Sequence, residues 1–135
     1  MYYLDTCICV EFLRGRLAYG YQVMRKSRRS EFKIPAIVAA ELWFGAAHSN
    51  DAEKQKRIVE AFLDAFEIIP FDFACAKAYG ELRQRLSSEG RLIGDRDMMI
   101  AATALAHEAV LVTRNIKEFN RVPDLKLEEW AEEDL

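Results

Sequence analysis

The sequence predicts an α/β fold, with a central, mostly parallel sheet of four to five strands and helices on both of its faces. Short apolar, β-branched or aromatic runs alternate with longer helix-forming stretches along the whole chain, and the connections between them are short. Of the 135 residues, 51% are hydrophobic, enough to cover both faces of such a sheet. No repeat, low-complexity tract or linker divides the chain, so residues 1–135 read as a single domain.

The elements follow in order. Tyr2-Tyr3-Leu4 reads as a buried strand cut off by Asp5. Cys7 to Arg14 places apolar residues at 8, 10, 12 and 13 and predicts a helix, with Thr6 or Asp5 as its cap. A second helix is expected from Leu17 to Arg29, then a strand from Phe32 to Ile34 that Pro35 stops. The run AIVAAELWFGAA, Ala36 to Ala47, is rich in strong helix formers and nearly uncharged, which predicts a buried helix with Glu41 as its one acid. Ser49-Asn50-Asp51 opens the next helix, expected to reach about Phe66, and EIIPF at 67–71 reads as a third strand. Asp72 caps a long amphipathic helix ending at Gly90, and another helix runs from about Asp95 to Glu108. Ala109 to Thr113 is the most strand-like segment, and Leu125 to Leu127 forms a last short strand.

Composition excludes several function classes. With 19 Lys and Arg against 22 Asp and Glu, the net charge is −3, unlike a histone-like or arm-type nucleic-acid binder. Cys7, Cys9 and Cys75 are odd in number and lack zinc-ribbon spacing, so neither a disulfide scaffold nor a zinc ribbon is expected. The opening MYYLDTCICVEFLRG has no basic stretch before an apolar one, hence no secretion signal, and the longest apolar run, Met98 to Ala106, is too short for a membrane helix. A cytoplasmic location is the resulting expectation, with no membrane partner. Two histidines, His48 and His107, leave little room for a Ser/His/Asp or Cys/His nucleophilic site.

The positions of the acids point to the chemistry. Asp5 closes the first strand, Glu41 lies early in the helix after the second, Asp97 sits in the first turn of the helix near 95, and Asn115 follows the strand 109–113. All four fall at or just past the rim formed by the carboxyl ends of the strands, where parallel sheets place their chemistry. Glu41, between Ala40 and Leu42-Trp43-Phe44, would carry a large desolvation cost if buried without a cation or donor. A divalent ion removes that cost, and hard oxygen ligands suit Mg²⁺ or Mn²⁺ rather than zinc. Each acid also has a plainer reading: Asp5 as a helix cap, Asp97 as a complement to a helix dipole, Glu41 as an outward-facing residue, Asp95 as an N-cap. Their joint placement on one rim is what favours a site.

Four segments make the chain resemble the PIN-domain nucleases, in particular the VapC toxins of toxin–antitoxin pairs. They are YYLDTCI at 2–8, IPAIVAAELWFGA at 34–46, GRLIGDRDMMIAATALA at 90–106 and AVLVTRNIKEFNRVPDLKLEEW at 109–130. The resemblance implies a PIN-like three-layer α/β/α sandwich in which Asp5, Glu41 and Asp97 ligate Mg²⁺, with Mn²⁺ as a substitute. It also implies a homodimer and a cognate VapB-type antitoxin whose C-terminal segment lies across a groove and blocks the site. Family members often carry a fourth acid after the fourth strand, and Asn115 looks like that position here, acting through its amide, a water or the substrate. The chain departs from the family at Cys7, where asparagine is usual, at Pro35, Ala36 and Val38, where hydroxyl residues are common, and at Asp95-Arg96, where the usual run is Gly-Pro-x-Asp.

The expected function is therefore Mg²⁺-dependent endoribonuclease, a toxin cutting a structured RNA such as a tRNA. Hydrolysis of a phosphodiester needs an activated water, a stabilised transition state and a neutralised leaving oxygen, all within the reach of one or two divalent ions. Asp5, Glu41, Asp97 and Asn115 are the expected catalytic residues, with Thr6, Asp95 and Thr113 in a second tier. Arg14, Arg16, Arg25, Lys26, Arg28, Arg29 and Lys33 against Glu31 alone give a local +6, with Tyr19 and Tyr21 between them, a pattern that can follow an RNA backbone and stack on bases. Arg14, Arg25, Lys26, Arg96 and Arg114 are the substrate-binding candidates; a solvated helix face or an antitoxin contact explains the same charge. Core packing accounts for Trp43 and Phe44 individually, and antitoxin docking for the pair.

Two other classes remain open at this level. A non-catalytic interaction module could keep the fold and bind only a protein, a reading prompted by the missing fourth acid. A phosphohydrolase of the haloacid dehalogenase type shares the strand-ending Asp5 but wants an aspartate where Cys7 stands. The charge itself divides unevenly: residues 127–135 form an acidic tail with five of the 22 acids, leaving 17 acids against 19 bases, or +2, for the rest.

Overall fold

The computed structural model describes residues 1–16 and 18–130, without the side chains of Ala18, Tyr19, Tyr21 and Arg29. Leu17, Tyr19, Tyr21 and the tail acids Glu132, Glu133 and Asp134 therefore lie, in whole or in side chain, outside the described residues.

Strands β1 (Tyr2–Leu4), β2 (Phe32–Pro35), β3 (Glu67–Ile69), β4 (Val110–Thr113) and β5 (Lys126–Glu129) form one sheet in the order β3-β2-β1-β4-β5. Every neighbouring pair is parallel, with Tyr2 opposite Phe32 and Val110, Ile34 opposite Ile68, and Val112 opposite Glu128. Each connection must then cross over, which the helices α1 (Thr6–Leu13), α2 (Ala18–Lys26), α3 (Ala36–Ala47), α4 (Ala52–Leu63), α5 (Phe73–Ser88), α6 (Asp95–Ala106) and α7 (Ile116–Phe119) provide. β1 is the central strand, and Tyr3 and Leu4 are closed off from solvent on opposite faces of it. The chain leaves β1 toward β2 on one side and reaches β4 on the other, so the strand order reverses between β1 and β4, the position where open α/β sheets place their ligands.

Alternation along the strands sorts the core. On one face Tyr2 stacks on Phe32, Phe32 meets Trp130 with ring centroids 5.8 Å apart, and Trp130 meets Phe12 of α1 at 6.1 Å. On the other face Tyr3 reaches His107 beneath α5 and α6, which form a helical hairpin joined by residues 89–94. Gly20 in α2 sits against the aromatic group of the first face: a Cβ there would lie 2.7 Å from the Trp130 ring and 2.9 Å from that of Phe12. Side-chain caps set the helix starts, with Asp5, Asp51 and Asp72 accepting from Thr6, Lys54 and Cys75 amides. Gly90, at φ +66°, ends the turn after α5 as expected of a glycine there.

Several expectations change. Residues 127–130 are not tail, because β5 pairs along β4 and Trp130 is wholly buried; of the glutamates that disguise the strand, Glu129 is exposed and Glu128 is half-buried, accepting from Trp130 Nε1 at 3.2 Å. The helix α3 is buried only along Val38, Leu42 and Ala46, and Trp43 and Phe44, expected in the core, are 42% and 64% exposed. Lys33 belongs to β2 and pairs with Glu67 of β3 rather than with a free basic surface. The helix expected to reach Phe66 ends at Leu63, and Arg29 opens a 3-10 turn, Arg29–Glu31, beyond the end of α2. The turn of helix α7 has no counterpart among the expected elements. Among the described residues no helix is long and apolar enough to cross a membrane.

Candidate active site

The site forms where β1 and β4 end. Asp5 is still tied to the sheet through its amide on Val112 (2.9 Å), yet its side chain has already turned to cap α1, Oδ1 accepting from the Thr6 amide at 2.8 Å. Its other oxygen, Oδ2, accepts from the Thr113 hydroxyl at 2.6 Å and from the Cys7 thiol at 3.3 Å. Thr113 is wholly buried and in turn accepts from the Asn115 amide at 2.9 Å, so one strand end orients the acid of the other. Asp5 is thus both a cap and a rim carboxylate, and Oδ1, with one donor, keeps a lone pair for a further partner. Burial beside Asp5 pushes the Cys7 thiol up to about 11, which keeps it a proton donor to the carboxylate.

Asp97 lies in the first turn of α6, where the helix dipole favours an anion, but its surroundings oppose one. Burial first, then Glu118, through both charge and a shared hydrogen bond, and then Asp5 and Glu41 push its carboxyl up to about 7. The rim therefore gathers four carboxylates within electrostatic reach, three of them expected and one not. Glu118, on α7, accepts from the Gly94 amide at 3.2 Å through Oε1 and from the Asn115 side-chain amide at 2.7 Å through Oε2. Its partial burial acts upward but is outweighed by these donors, by Asp97 and by Arg121, so Glu118 is held below the usual carboxylate range.

Asn115, the position expected in place of a fourth acid, points its side chain at another acid. The acid beside Asp97 after β4 is Glu118, three residues on, and Asn115 turns its amide to that carboxylate as an orienting group. The signal was present as Asn115-x-x-Glu118, a spacing that puts both on one side of a single helical turn. Asp95 is not the N-cap either: Gly94 holds that position, and Asp95 is the exposed first residue of α6, 3.5 Å from the Tyr79 hydroxyl. Glu41 is half-buried with Arg96 Nη1 at 3.9 Å, and the two line an open cleft with Gly94, Asp95 and Asp97. The Thr6 hydroxyl, not needed for capping, is buried without a partner in the adjoining hollow that Glu41, Arg96 and Arg14 also line.

Basic groups are organised by a second residue that the sequence reading missed. Glu11 is buried on the inner face of α1 with Ile8 and Phe12, and its carboxylate faces Arg14 Nη1 and Arg16 Nη1 at 3.6 Å and Arg114 Nη1 at 3.3 Å. One acid thus holds three guanidiniums, two from the turn after α1 and one from the end of β4, leaving the group positive overall. An acid at i+3 from Ile8 on an apolar face was the available sign. Arg25 and Lys26 stand exposed in the last turn of α2.

Four oxygen-donor carboxylates gathered around Asp97 fit a hard divalent cation, which would offset both the burial and the neighbouring negative charge that raise Asp97. No thiolate or imidazole joins them, since Cys7 is held protonated.

Comparison with known proteins agrees with this geometry. The ribonuclease VapC2 of Rickettsia felis is 40% identical over 131 residues, covering 96% of this chain and 98% of that protein. The tRNA(fMet)-specific endonuclease VapC of Shigella flexneri is 31% identical over 128 residues, covering 95% and 96%. The crystal structure of VapBC2 from Rickettsia felis bound to a DNA fragment from its promoter superposes with a TM-score of 0.89 at 40% identity, over 96% of this chain and 98% of that one. The family model described as the PIN domain matches residues 2–125, from the first strand to the threshold of the last. With the five-stranded parallel sheet and the acid-lined rim between β1 and β4, the chain belongs to the PIN-domain family.

Proposed function

We propose that this chain is a metal-dependent endoribonuclease acting as the toxin of a toxin–antitoxin pair, with Asp5, Glu41, Asp97 and Glu118 as the acids that hold Mg²⁺ or Mn²⁺. The observation that carries the reading is Asp97, pushed up to about 7 by burial first and then by three converging carboxylates at the rim of the sheet. Such strain is typical of a site built for a cation rather than of a stabilising network. The relatives named as ribonuclease and as tRNA-specific endonuclease support RNA as the substrate, and the VapBC complex supports a VapB-type antitoxin as partner.

The ion, when bound, supplies charge for the attacking water, the phosphoryl oxygens and the leaving oxygen. The chain's own residues do the rest. Thr113 and the Asp5 cap fix one carboxylate, and Asn115 with the Gly94 amide fixes another, so the donors are oriented before any ligand arrives. Thr6 offers an unpartnered hydroxyl to a phosphate oxygen or water. Arg96 and the Arg14, Arg16 and Arg114 group can hold the phosphates on either side of the cleavage point. Exposed Phe44, which lines a hollow with Val10, Leu13 and Leu42, and exposed Trp43 next to it in the chain suit an apolar antitoxin segment laid across the entrance. A homodimer in the cytoplasm completes the reading, in keeping with three free cysteines.

A purely protein-binding role loses its motive, because the fourth acid is present in Glu118. The dehalogenase-type reading lacks its second aspartate, because the residue two positions after Asp5 is Cys7, whose thiol donates to the Asp5 carboxylate. The deciding experiment incubates the antitoxin-free protein with bulk tRNA in Mg²⁺, in Mn²⁺ and in chelator. Cleavage should require the ion and vanish in Asp5→Asn; undiminished cleavage by that variant would overturn the assignment.

A further inference from the structure

At the end of α6 away from the acids, three side chains of a different chemical kind converge. Asp72, the cap of α5, spends Oδ1 on the Cys75 amide at 3.0 Å and turns Oδ2 to His107 Nε2 at 3.4 Å. Cys75 Sγ lies 4.0 Å from the same nitrogen. A carboxylate oxygen, a thiol sulfur and an imidazole nitrogen all fall within 4.8 Å of one another. A tetrahedral zinc ion, with bonds of about 2.0–2.3 Å, holds its ligands at about 3.3–3.6 Å from each other, so contraction of a few tenths of an ångström to about one closes the set.

The surroundings of His107 point the same way. His107 Nδ1 is paired with the Tyr3 hydroxyl at 2.8 Å, and Tyr3 is 1% exposed, so the ring is fixed in orientation with Nε2 directed at Asp72 and Cys75. Outer partners of this kind set the tautomer of metal-bound histidines. Asp72 is about half exposed and Cys75 fully buried, which gives the cluster one open side for a water and an entry path. The Cys75 thiol also meets the Pro70 carbonyl at 3.9 Å and the side chains of Asp72 and Thr103. Thiolate, imidazole and one carboxylate select a soft or borderline ion over Mg²⁺.

We propose that Asp72, Cys75 and His107 form a second metal site, for Zn²⁺ or a similar thiophilic divalent ion, that ties the start of α5 to the end of α6. Binding replaces the Cys75 thiol proton, which leaves to solvent, and needs no other reactant. The site is independent of the nuclease reading and is tested without measuring cleavage.

The test titrates the chelator-stripped, full-length protein with Co²⁺, whose thiolate charge-transfer and tetrahedral visible bands report a sulfur-containing site, and then displaces it with Zn²⁺. One equivalent should give both bands, a large excess of Mg²⁺ should leave them, and Zn²⁺ should abolish them. Cys75→Ala should remove the charge-transfer band, while Cys7→Ala, on the opposite rim, should keep it. Tyr3→Phe should weaken Co²⁺ roughly 10- to 100-fold. Circular dichroism of each variant separates loss of the site from loss of the fold, and Asp72→Asn, which can still cap α5, gives a milder second ligand deletion. No thiolate band in the wild type, a band that survives Cys75→Ala in a folded protein, or a band lost in Cys7→Ala would overturn the proposal.

Discussion

At its N-terminal end α6 presents Asp97 to three other carboxylates, whereas about 15 Å further along the same helix His107 sits among a carboxylate, a thiol and a phenol. The first cluster is like-charged, and its strain appears as an acid pushed up to about 7. The second is complementary: the Cys75 amide and thiol first, then His107, hold the Asp72 carboxyl below its ordinary range. One helix therefore carries a region that works against the fold at one end and a region that works for it at the other. Stored electrostatic strain marks the functional end, and satisfied hydrogen bonds mark the structural one.

The largest test of that contrast is Asp97→Asn. Cleavage of tRNA should fall by roughly a hundredfold or more, while the metal-free protein should melt higher than the wild type at pH 8. The sign follows from linkage: the folded chain keeps the Asp97 proton up to about pH 7, whereas the unfolded chain releases it near the ordinary value of 3.8. Stability from this group is thus complete at low pH, declines as pH rises from about 4 to about 7, and stays low above that. Melting curves of both proteins across pH 4–9 in chelator should converge at the acid end and diverge above neutrality. A variant that melts lower than the wild type at pH 8 would remove the strain from the comparison.

A subtler change is Glu118→Gln, which keeps the shape and the Gly94 contact but deletes the strongest neighbouring charge on Asp97. Activity should drop, and what remains should have its acidic limb displaced below the wild-type position, because Asp97 then ionises more readily. Rate against pH at saturating Mg²⁺ checks this; an unmoved limb would mean that Glu118 does not couple to the reacting centre.

Much of this contrast was legible in the sequence, and the exceptions share a cause. Asp5, Glu41 and Asp97 each sit at a strand-to-helix junction or in an early helical turn, where alternation of elements alone assigns them to one rim. Glu118 escaped because α7 is four residues long and shows no periodicity. Trp130 escaped because the glutamates on either side read as solvated tail, although Glu128 and Glu129 pair along β4 and Glu128 accepts from the Trp130 ring nitrogen. Asp72 and His107 are 35 residues apart, and only the α5–α6 hairpin, a tertiary fact, brings them together. Glu11 read as one more helical charge, since its partner Arg114 arrives from the far end of the chain.

The smallest expected effect lies at the other end of α6 and is the one that most sharpens the comparison. His107→Ala takes away the partner of the Tyr3 hydroxyl, which is buried in the core, and leaves Asp72 with the Cys75 amide and thiol as its remaining partners. The cost of a buried hydroxyl left unpaired is about 1–3 kcal/mol, and chelator in the buffer keeps metal from contributing. Tyr3→Phe removes the hydroxyl itself, so adding it to His107→Ala should recover part of the loss. A double-mutant cycle by urea denaturation should therefore show coupling of about 0.5–1.5 kcal/mol. Strict additivity would mean that the Tyr3–His107 bond contributes nothing to stability, and the end of α6 that looks relaxed would then owe its order to apolar packing alone.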